Sequence, residues 1–253
     1  MEINENMQEK TLKNDEKTLK NDKNKDEKKN DDLFVLYEDN HIIVVVKPQN
    51  VPSQSDITGD DDMLSRVKRY IKEKYNKPGN VYLGLVHRLD KNVGGVMVFA
   101  KTSKAARRLS ETIRNREFKK TYLAVCKGIL DSDGKYQDYL KRVEYRSEVS
   151  NSKDGKLASL TYKVLDIKDN NSLVKINLET GRHHQIRVQF AYHNHPLLGD
   201  EKYGSKGKYP LALFAYKLEF IHPTTKEKLC FITLPKEGYF SNFTSVINKI
   251  NNS

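Results

Sequence analysis

Short apolar runs of strand length recur along this chain with few helical stretches between them, and that rhythm limits the folds open to it. From residue 33 onward the runs are FVLYED (34–39), HIIVVVKP (41–48), YLGLV (82–86), VMVFA (96–100), TYLAVCKG (121–128), LTYKVLDI (160–167), SLVKINLET (172–180), LALFAYKLEF (211–220) and KEKLCFITL (226–234). They are rich in β-branched and aromatic residues, which suit a pleated surface. Four stretches have helical character. Residues 63–75 put Leu64, Val67, Tyr70 and Ile71 at helical spacing, and 103–116 set Leu109 and Ile113 among Arg107, Arg108, Arg114 and Arg116. HHQIRVQFAYH (183–193) follows a glycine turn, and roughly 238–250 closes the chain. Many neighbouring strands with few helices predict an α+β fold: a mixed, mostly antiparallel sheet with peripheral helices. The regular strand–helix–strand spacing of a doubly wound fold is missing. LTYKVLDI and SLVKINLET read as a hairpin around Asp169, Asn170 and Asn171. Residues 131–156, polar and glycine-punctuated, are expected to form an insertion or loop.

Residues 1–32 contrast with this body. Lys, Asn, Asp and Glu dominate them, with a near-repeat of TLKNDEK (11–17) in TLKNDKN (18–24). One leucine per seven residues is too little for a coiled-coil seam, so a disordered, low-complexity charged tail is expected ahead of a single domain over 33–253. The tail is close to neutral, with eight lysines from Lys10 to Lys29 against eight acids from Glu2 to Glu27. The net charge of +11 therefore belongs to the body, where it favours a polyanion, most commonly nucleic acid. Cys126 and Cys230 lie in strand-like runs and offer neither a disulfide framework nor a thiolate zinc site. Two core thiols suit a reducing compartment. There is no signal-peptide core, no stretch near the ~20 apolar residues that span a bilayer, and no tryptophan to anchor a surface helix. A cytoplasmic protein without a membrane partner is expected.

Two clusters could carry chemistry. His87, Arg88 and Asp90 fall within four residues of LVHRLDKNVGG (85–95), between an apolar strand and two glycines that let the backbone turn. A lone aspartate there is ordinarily a turn-former; its company makes it a candidate. The second cluster is LETGRHHQIRVQFAYHNHPLLGDEKYG (178–204), where Gly181, Gly199 and Gly204 bracket Arg182, His183, His184, Gln185 and Arg187. A metal held by His183, His184, His193 and His195 is disfavoured, because adjacent rings rarely aim at one ion and no H-E-x-x-H spacing occurs. A phosphate grip by Arg182 and Lys202, or a set of structural histidines and solvated charges, remain as readings.

Read together, the clusters resemble the RluA family of RNA pseudouridine synthases. That family's HRLDxxTSG motif is matched by HRLDKNVGG (87–95) and its basic strand motif ending in Tyr by KKTYLAVCKG (119–128). Its third motif is matched by GRHHQIRVQ (181–189) followed by NHPLLGDEKYG (194–204), and YEDNHIIVVVKPQNVP (37–52) is similar to its opening segment. The resemblance covers roughly 33–236 in order. It departs at Val93 and Gly94, where the family usually has Thr and Ser, and at Gln189 and Asn194. Without those hydroxyls, the rigidity of the Asp90 loop is expected to depend on other groups.

The resemblance implies the pseudouridine synthase catalytic fold over 33–253 and isomerisation of uridine to pseudouridine in structured RNA, ribosomal or transfer. It implies no cofactor and no metal, and we expect a monomer. Asp90 would be the catalytic aspartate, Arg187 its arginine partner, and Tyr122 the ring against the target base. Arg88 would reach into the RNA where the base leaves the stack, with Leu89 and Ile186 as apolar neighbours of the pocket. His87, Arg182 and Lys202 complete the expected substrate-binding set. Asp90 would act ionised, either attacking C1′ or removing the C2′ proton, with Tyr122 serving near C5 as a base or by ordering a water. The competing reading is an inactive RNA-binding protein of ribosome or transfer-RNA maturation.

Overall fold

The computed structural model describes residues 33–55 and 61–250; the expected tail over 1–32 lies outside them. Eleven strands form one sheet. In chain order they are β1 (Phe34–Glu38), β2 (Ile42–Lys47), β3 (Gly84–Leu85), β4 (Gly94–Ala100), β5 (Lys119–Lys127), β6 (Gly134–Val143), β7 (Arg146–Ser150), β8 (Lys156–Lys168), β9 (Asn171–Leu178), β10 (Leu213–Ile221) and β11 (Lys228–Ile232). The helices are α1 (Met63–Lys74), α2 (Ser103–Arg114), α3 (Gln185–Tyr192) and α4 (Thr244–Ile250), the last preceded by a 3-10 turn over Gly238–Phe243. The strands lie in the order β1-β2-β4-β10-β5-β9-β8-β6-β7, with β3 against β4 and β11 against β10. Every pairing is antiparallel except β4 with β10. This is the mixed, mostly antiparallel α+β fold that the apolar rhythm predicts.

The continuous apolar runs have a direct cause. In β2, Ile43 and Val45 face one cluster with Met97 and Phe99 of β4, while Ile42 and Val44 face another with Val96 and Val98. Both faces are covered, so neither strand needs polar alternation. Met63, Val67 and Ile71 of α1 cover the first face; Ala105 and Leu109 of α2 cover the second. Capping sets where these helices begin. Asp62 Oδ1 accepts from the Ser65 N–H at 3.1 Å, and Thr102 Oγ1 accepts from the Ala105 N–H at 3.1 Å. Across the sheet, Ile186 and Phe190 of α3 join the cluster of α1, while Phe243 and Ile247 pack on Leu123, Val125 and Leu173 from the other side.

Three expectations need correction. Residues 131–156 are not a single loop: β6 and β7 pair across a two-residue turn, Val143 opposite Arg146, with Glu144 at φ 50°. Only Tyr136 and Leu140 of β6 are buried, so this sheet edge carries the polar composition of a solvated surface. The run 82–86 keeps only Gly84 and Leu85 as strand, because only they find partners on β4. Cys126 is a core thiol, but Cys230 is exposed. The β8–β9 hairpin is as expected, with Asp169 and Asn170 both at positive φ in its two-residue turn.

Candidate active site

After β3 the chain runs extended through His87–Asp90, burying His87 and Leu89 and exposing Arg88. It then turns, with the Val93 N–H donating to the Asp90 carbonyl at 3.0 Å, and enters β4. Val93 packs in the main core, so it contributes apolar contact where a threonine would offer a hydroxyl. The loop is held instead by three side chains, one from the end of β2 and two from the segment between β2 and α1. Ser53 Oγ donates to the Leu89 carbonyl at 2.7 Å and accepts the Leu89 N–H at 3.1 Å. Lys47 Nζ donates to the carbonyls of Lys91 (2.9 Å), Pro48 (2.9 Å) and Val51. Gln49 Nε2 donates to those of Asn92 (3.1 Å) and Leu211 (2.8 Å). Lys47 is fully buried, and that burial lowers its ammonium to about 7, with the Asp90 charge acting in the opposite direction.

Arg187, in the first turn of α3, brings its guanidinium to Asp90, Nη1 to Oδ2 at 3.3 Å. Its main partner is another carboxylate. Asp200, 1% exposed, takes a two-point grip, Nε to Oδ2 at 2.8 Å and Nη2 to Oδ1 at 2.7 Å. Burial opposes the Arg187 charge, but Asp200 and then Asp90 outweigh it and raise its pKa. Asp200 thus aims the guanidinium, and Asp90 receives its free edge.

His184 stands on the same carboxylate oxygen. It precedes α3 at φ 52° and places Nε2 at 3.6 Å from Asp90 Oδ2. Its Nδ1 is 2.9 Å from Tyr203 Oη, which already accepts the Ser147 N–H at 2.9 Å. Donation of the tyrosine proton to Nδ1 would leave the imidazole proton on Nε2, on the side of Asp90. Burial, followed by the charge of Arg187, lowers His184 to about 2, which keeps it neutral. Asp90 Oδ2 thus accepts from Arg187 with the His184 ring beside it, while Oδ1 has no hydrogen bond among the described residues.

Tyr122 comes from β5 and is 6% exposed. With Asp90, Arg187, Arg88, Leu89, His87, Ile186 and Arg182 it lines one cleft of about 320 Å³. Burial, then the Asp90 charge, pushes its hydroxyl pKa up, so the ring is a neutral phenol at physiological pH. His87 lines the same cleft, but its ring serves the sheet: Nε2 accepts the Val98 N–H at 3.1 Å, and burial followed by Lys120 lowers it to about 3. Arg182 and Lys202 do not share a grip. Arg182, which lines the Asp90 cleft, donates through Nε to the Leu157 carbonyl at 2.9 Å. Lys202 donates to the Tyr145 carbonyl at 3.0 Å and lines a separate cleft that shares only Asp90, His184 and Arg187 with the first. His183 and His184 stack at 3.8 Å between ring centroids, and no group of three or more possible metal ligands occurs among the described residues.

Asp200, Tyr203, Lys47 and Ser53 complete the site without having been singled out in the sequence, and His184, weighed there only as a metal ligand or structural histidine, joins them. Asp200, Tyr203 and Lys47 lie inside stretches that did draw attention, NHPLLGDEKYG and the run through Pro52, and Ser53 directly follows that run, yet their partners are up to 56 residues away along the chain. The assembled site offers a carboxylate with one oxygen anchored and one free, beside a neutral phenol ring in a partly apolar slot. That arrangement suits action of a carboxylate on a sugar carbon or its neighbouring C–H while a flat base rests on the ring.

The sequence and the fold resemble those of known proteins. A family model described as RNA pseudouridylate synthase matches residues 41–192. The ribosomal large subunit pseudouridine synthase D of Borreliella burgdorferi is 35% identical over 224 residues, covering 83% of this chain and 68% of that protein. The protein of the same name from Vibrio parahaemolyticus is 34% identical over 217 residues (79% and 66%), and that of Yersinia pestis 35% over 180 (70% and 54%). The chain thus spans between about half and two thirds of the length of these curated relatives. Among solved structures, Human RNA Pseudouridylate Synthase Domain Containing 4 has the same fold, with a TM-score of 0.69 at 23% identity over 85% of this chain and 93% of that one.

Proposed function

Since the chain belongs to the RluA-like family of RNA pseudouridylate synthases, we propose that it isomerises uridine to pseudouridine in structured RNA, with Asp90 as the group that acts on the ribose. The observation that carries this reading is the meeting of Asp90, Tyr122 and Arg187 in one cleft, from elements far apart in sequence. The reaction breaks the bond from N1 to C1′, forms one from C5 to C1′, releases a proton from C5 and restores one at N1. It consumes no oxidant and transfers no group, so we assign it no cofactor or metal. Asp90 Oδ1, the oxygen left free, would meet the sugar, and Oδ2 would stay on Arg187 and His184. Tyr122, held neutral, supplies the face on which uracil rests; its raised pKa favours an ordered water over the phenolate as acceptor of the C5 proton. Leaving the RNA stack costs the base a few kcal/mol, which stacking and phosphate contacts offset; Arg88, exposed beside Asp90, fits the gap left behind.

The names of the relatives make large-subunit ribosomal RNA the first substrate to test, ahead of transfer RNA. We assign the activity to a cytoplasmic monomer. The test is tritium release from RNA whose uridines are tritiated at C5. Wild-type protein is expected to release tritium without added metal and Asp90→Ala to release none. Release by the alanine variant would overturn the role of Asp90. RNA binding without any release by wild type would favour an inactive binding protein.

A further inference from the structure

The Asp90 cleft does not end at Tyr122. Lys120, Gly181 and Arg182 form part of a wall that it shares with a second, larger groove of about 800 Å³. That groove runs past Arg114 at the end of α2, Arg116 in the following turn and Lys119 at the start of β5. Two acids also line it, Glu179 and Glu219, and each is held by a lysine that does not line the groove. Lys135 Nζ is 3.3 Å from Glu179, which also accepts the Ser159 hydroxyl at 2.6 Å; Lys217 Nζ is 3.1 Å from Glu219. No carboxylate of the described residues lies within ion-pair distance of Arg114, Arg116, Lys119 or Lys120. Glu179 acts on Arg116 from beyond that distance and Glu219 lies opposite Lys119 in the sheet, but both acids are held by their own lysines, so the four cations are in direct contact with no carboxylate of the described residues.

Lys120 stands at the junction. It is half-buried, its ammonium joins no ion pair and makes no hydrogen bond among the described residues, and burial lowers its pKa. A Cβ on Gly181 would lie 3.2 Å from its Nζ. Gly181 has an ordinary backbone angle, so its missing side chain matters here for the room it leaves the ammonium. A desolvated cation with space before it, between a nucleotide-sized cleft and a basic groove, has the features of an anion subsite.

We propose that Lys120, with Arg182, binds the phosphodiester adjoining the nucleotide whose base enters the Asp90 cleft, and that the groove past Arg114, Arg116 and Lys119 carries the RNA strand onward. This rests on the RNA reading given above. The test is a double perturbation, read by fluorescence anisotropy on a labelled single-stranded oligocytidylate containing one uridine. One linkage beside that uridine is replaced by a neutral methylphosphonate, first on the 5′ and then on the 3′ side. With wild-type protein, one of these replacements is expected to weaken binding about tenfold, the scale of one charge-assisted contact. Lys120→Gln should weaken binding of the unmodified RNA by the same factor and be indifferent to that methylphosphonate. The exposed triple variant R114Q/R116Q/K119Q should flatten the salt dependence by about 0.7 per lost phosphate contact. Additive losses in the Lys120→Gln pairing at both linkages, or a triple variant with wild-type affinity and salt slope, would overturn the proposal. If the same wild-type preparation releases tritium from ribosomal RNA while the subsite results fail, only the subsite falls; if it neither binds nor turns over RNA, both readings fall.

Discussion

At the scale of single residues, the site is built around one buried arginine shared by two aspartates of unequal duty. Asp200 binds two nitrogens of Arg187 out of solvent, and Asp90 receives a single, longer contact. Asp200→Asn removes the charge that makes the burial of Arg187 tolerable, and breaking one partner of a buried pair costs about 3–5 kcal/mol. We expect a loss of that order in urea denaturation, and a fall in kcat of about a hundredfold as the guanidinium loses its aim. Wild-type kcat in the Asp200→Asn variant would show that Asp90 orients itself. The two neutral histidines predict an acid weakness. His87 is lowered to about 3 and His184 to about 2, whereas both ionise near 6.5 when unfolded. Between those limits the unfolded chain takes up protons that the fold refuses, so stability present above pH 6.5 is lost as pH falls. Each histidine should account for about 1–2 kcal/mol between pH 7 and pH 5. Denaturation at the two pH values checks this, and His184→Asn should remove its share of the slope. Sequence made Asp90, Tyr122 and Arg187 legible because they sit in motifs dense with chemical groups. It did not reveal Asp200 or Ser53, whose importance lies in burial and in partners at long range.

Among the elements, the join of β4 to β10 is the least forgiving. It is the single parallel pairing in the sheet, Phe214 opposite Gly94 and Ala215 opposite Gly95. Gly95 sits at φ 130°, and a Cβ there would run into the Ala215 backbone. Gly95→Ala is expected to destabilise the protein by about 3 kcal/mol or more, while Gly79→Ala, with nothing within 4 Å of its Cβ, should stay within about 0.5 kcal/mol. Equal urea midpoints for the two variants would contradict that contrast. The helices and central strands are readable because their periods are strong; both faces of β2 and β4 are covered, and their sequences say so. The β6–β7 pair reads as a loop because a strand at a wetted edge buries few side chains, and its polar alternation resembles that of a loop. Its role is structural support of the site, through the Ser147 N–H on Tyr203 and the Ser147 hydroxyl on the His183 carbonyl at 2.7 Å.

For the molecule as a whole, the division expected from composition has a measurable consequence. Residues 2–30 carry few apolar groups and so little that a core could use. Deleting them is expected to leave thermal stability within about 0.5 kcal/mol of wild type and tritium release nearly unchanged; a large loss of stability would show that the tail belongs to the fold. The sheet order bears on how the molecule comes into being. Asp90 leads into β4 and Tyr122 lies on β5, and the strand between those two is β10, which begins at Leu213. A nascent chain emerging from the ribosome at about 5–20 residues per second can pair β1, β2 and β4, or β5, β6, β8 and β9, long before that strand exists. No strand pairing joins the two halves until β10 is synthesised and inserts from the middle, although contacts such as that of Arg187 with Asp90 cross between them. The continuous sheet is therefore completed late in the making of each copy, and a ribosome stalled before Leu213 is expected to display two half-sheets with exposed pairing edges.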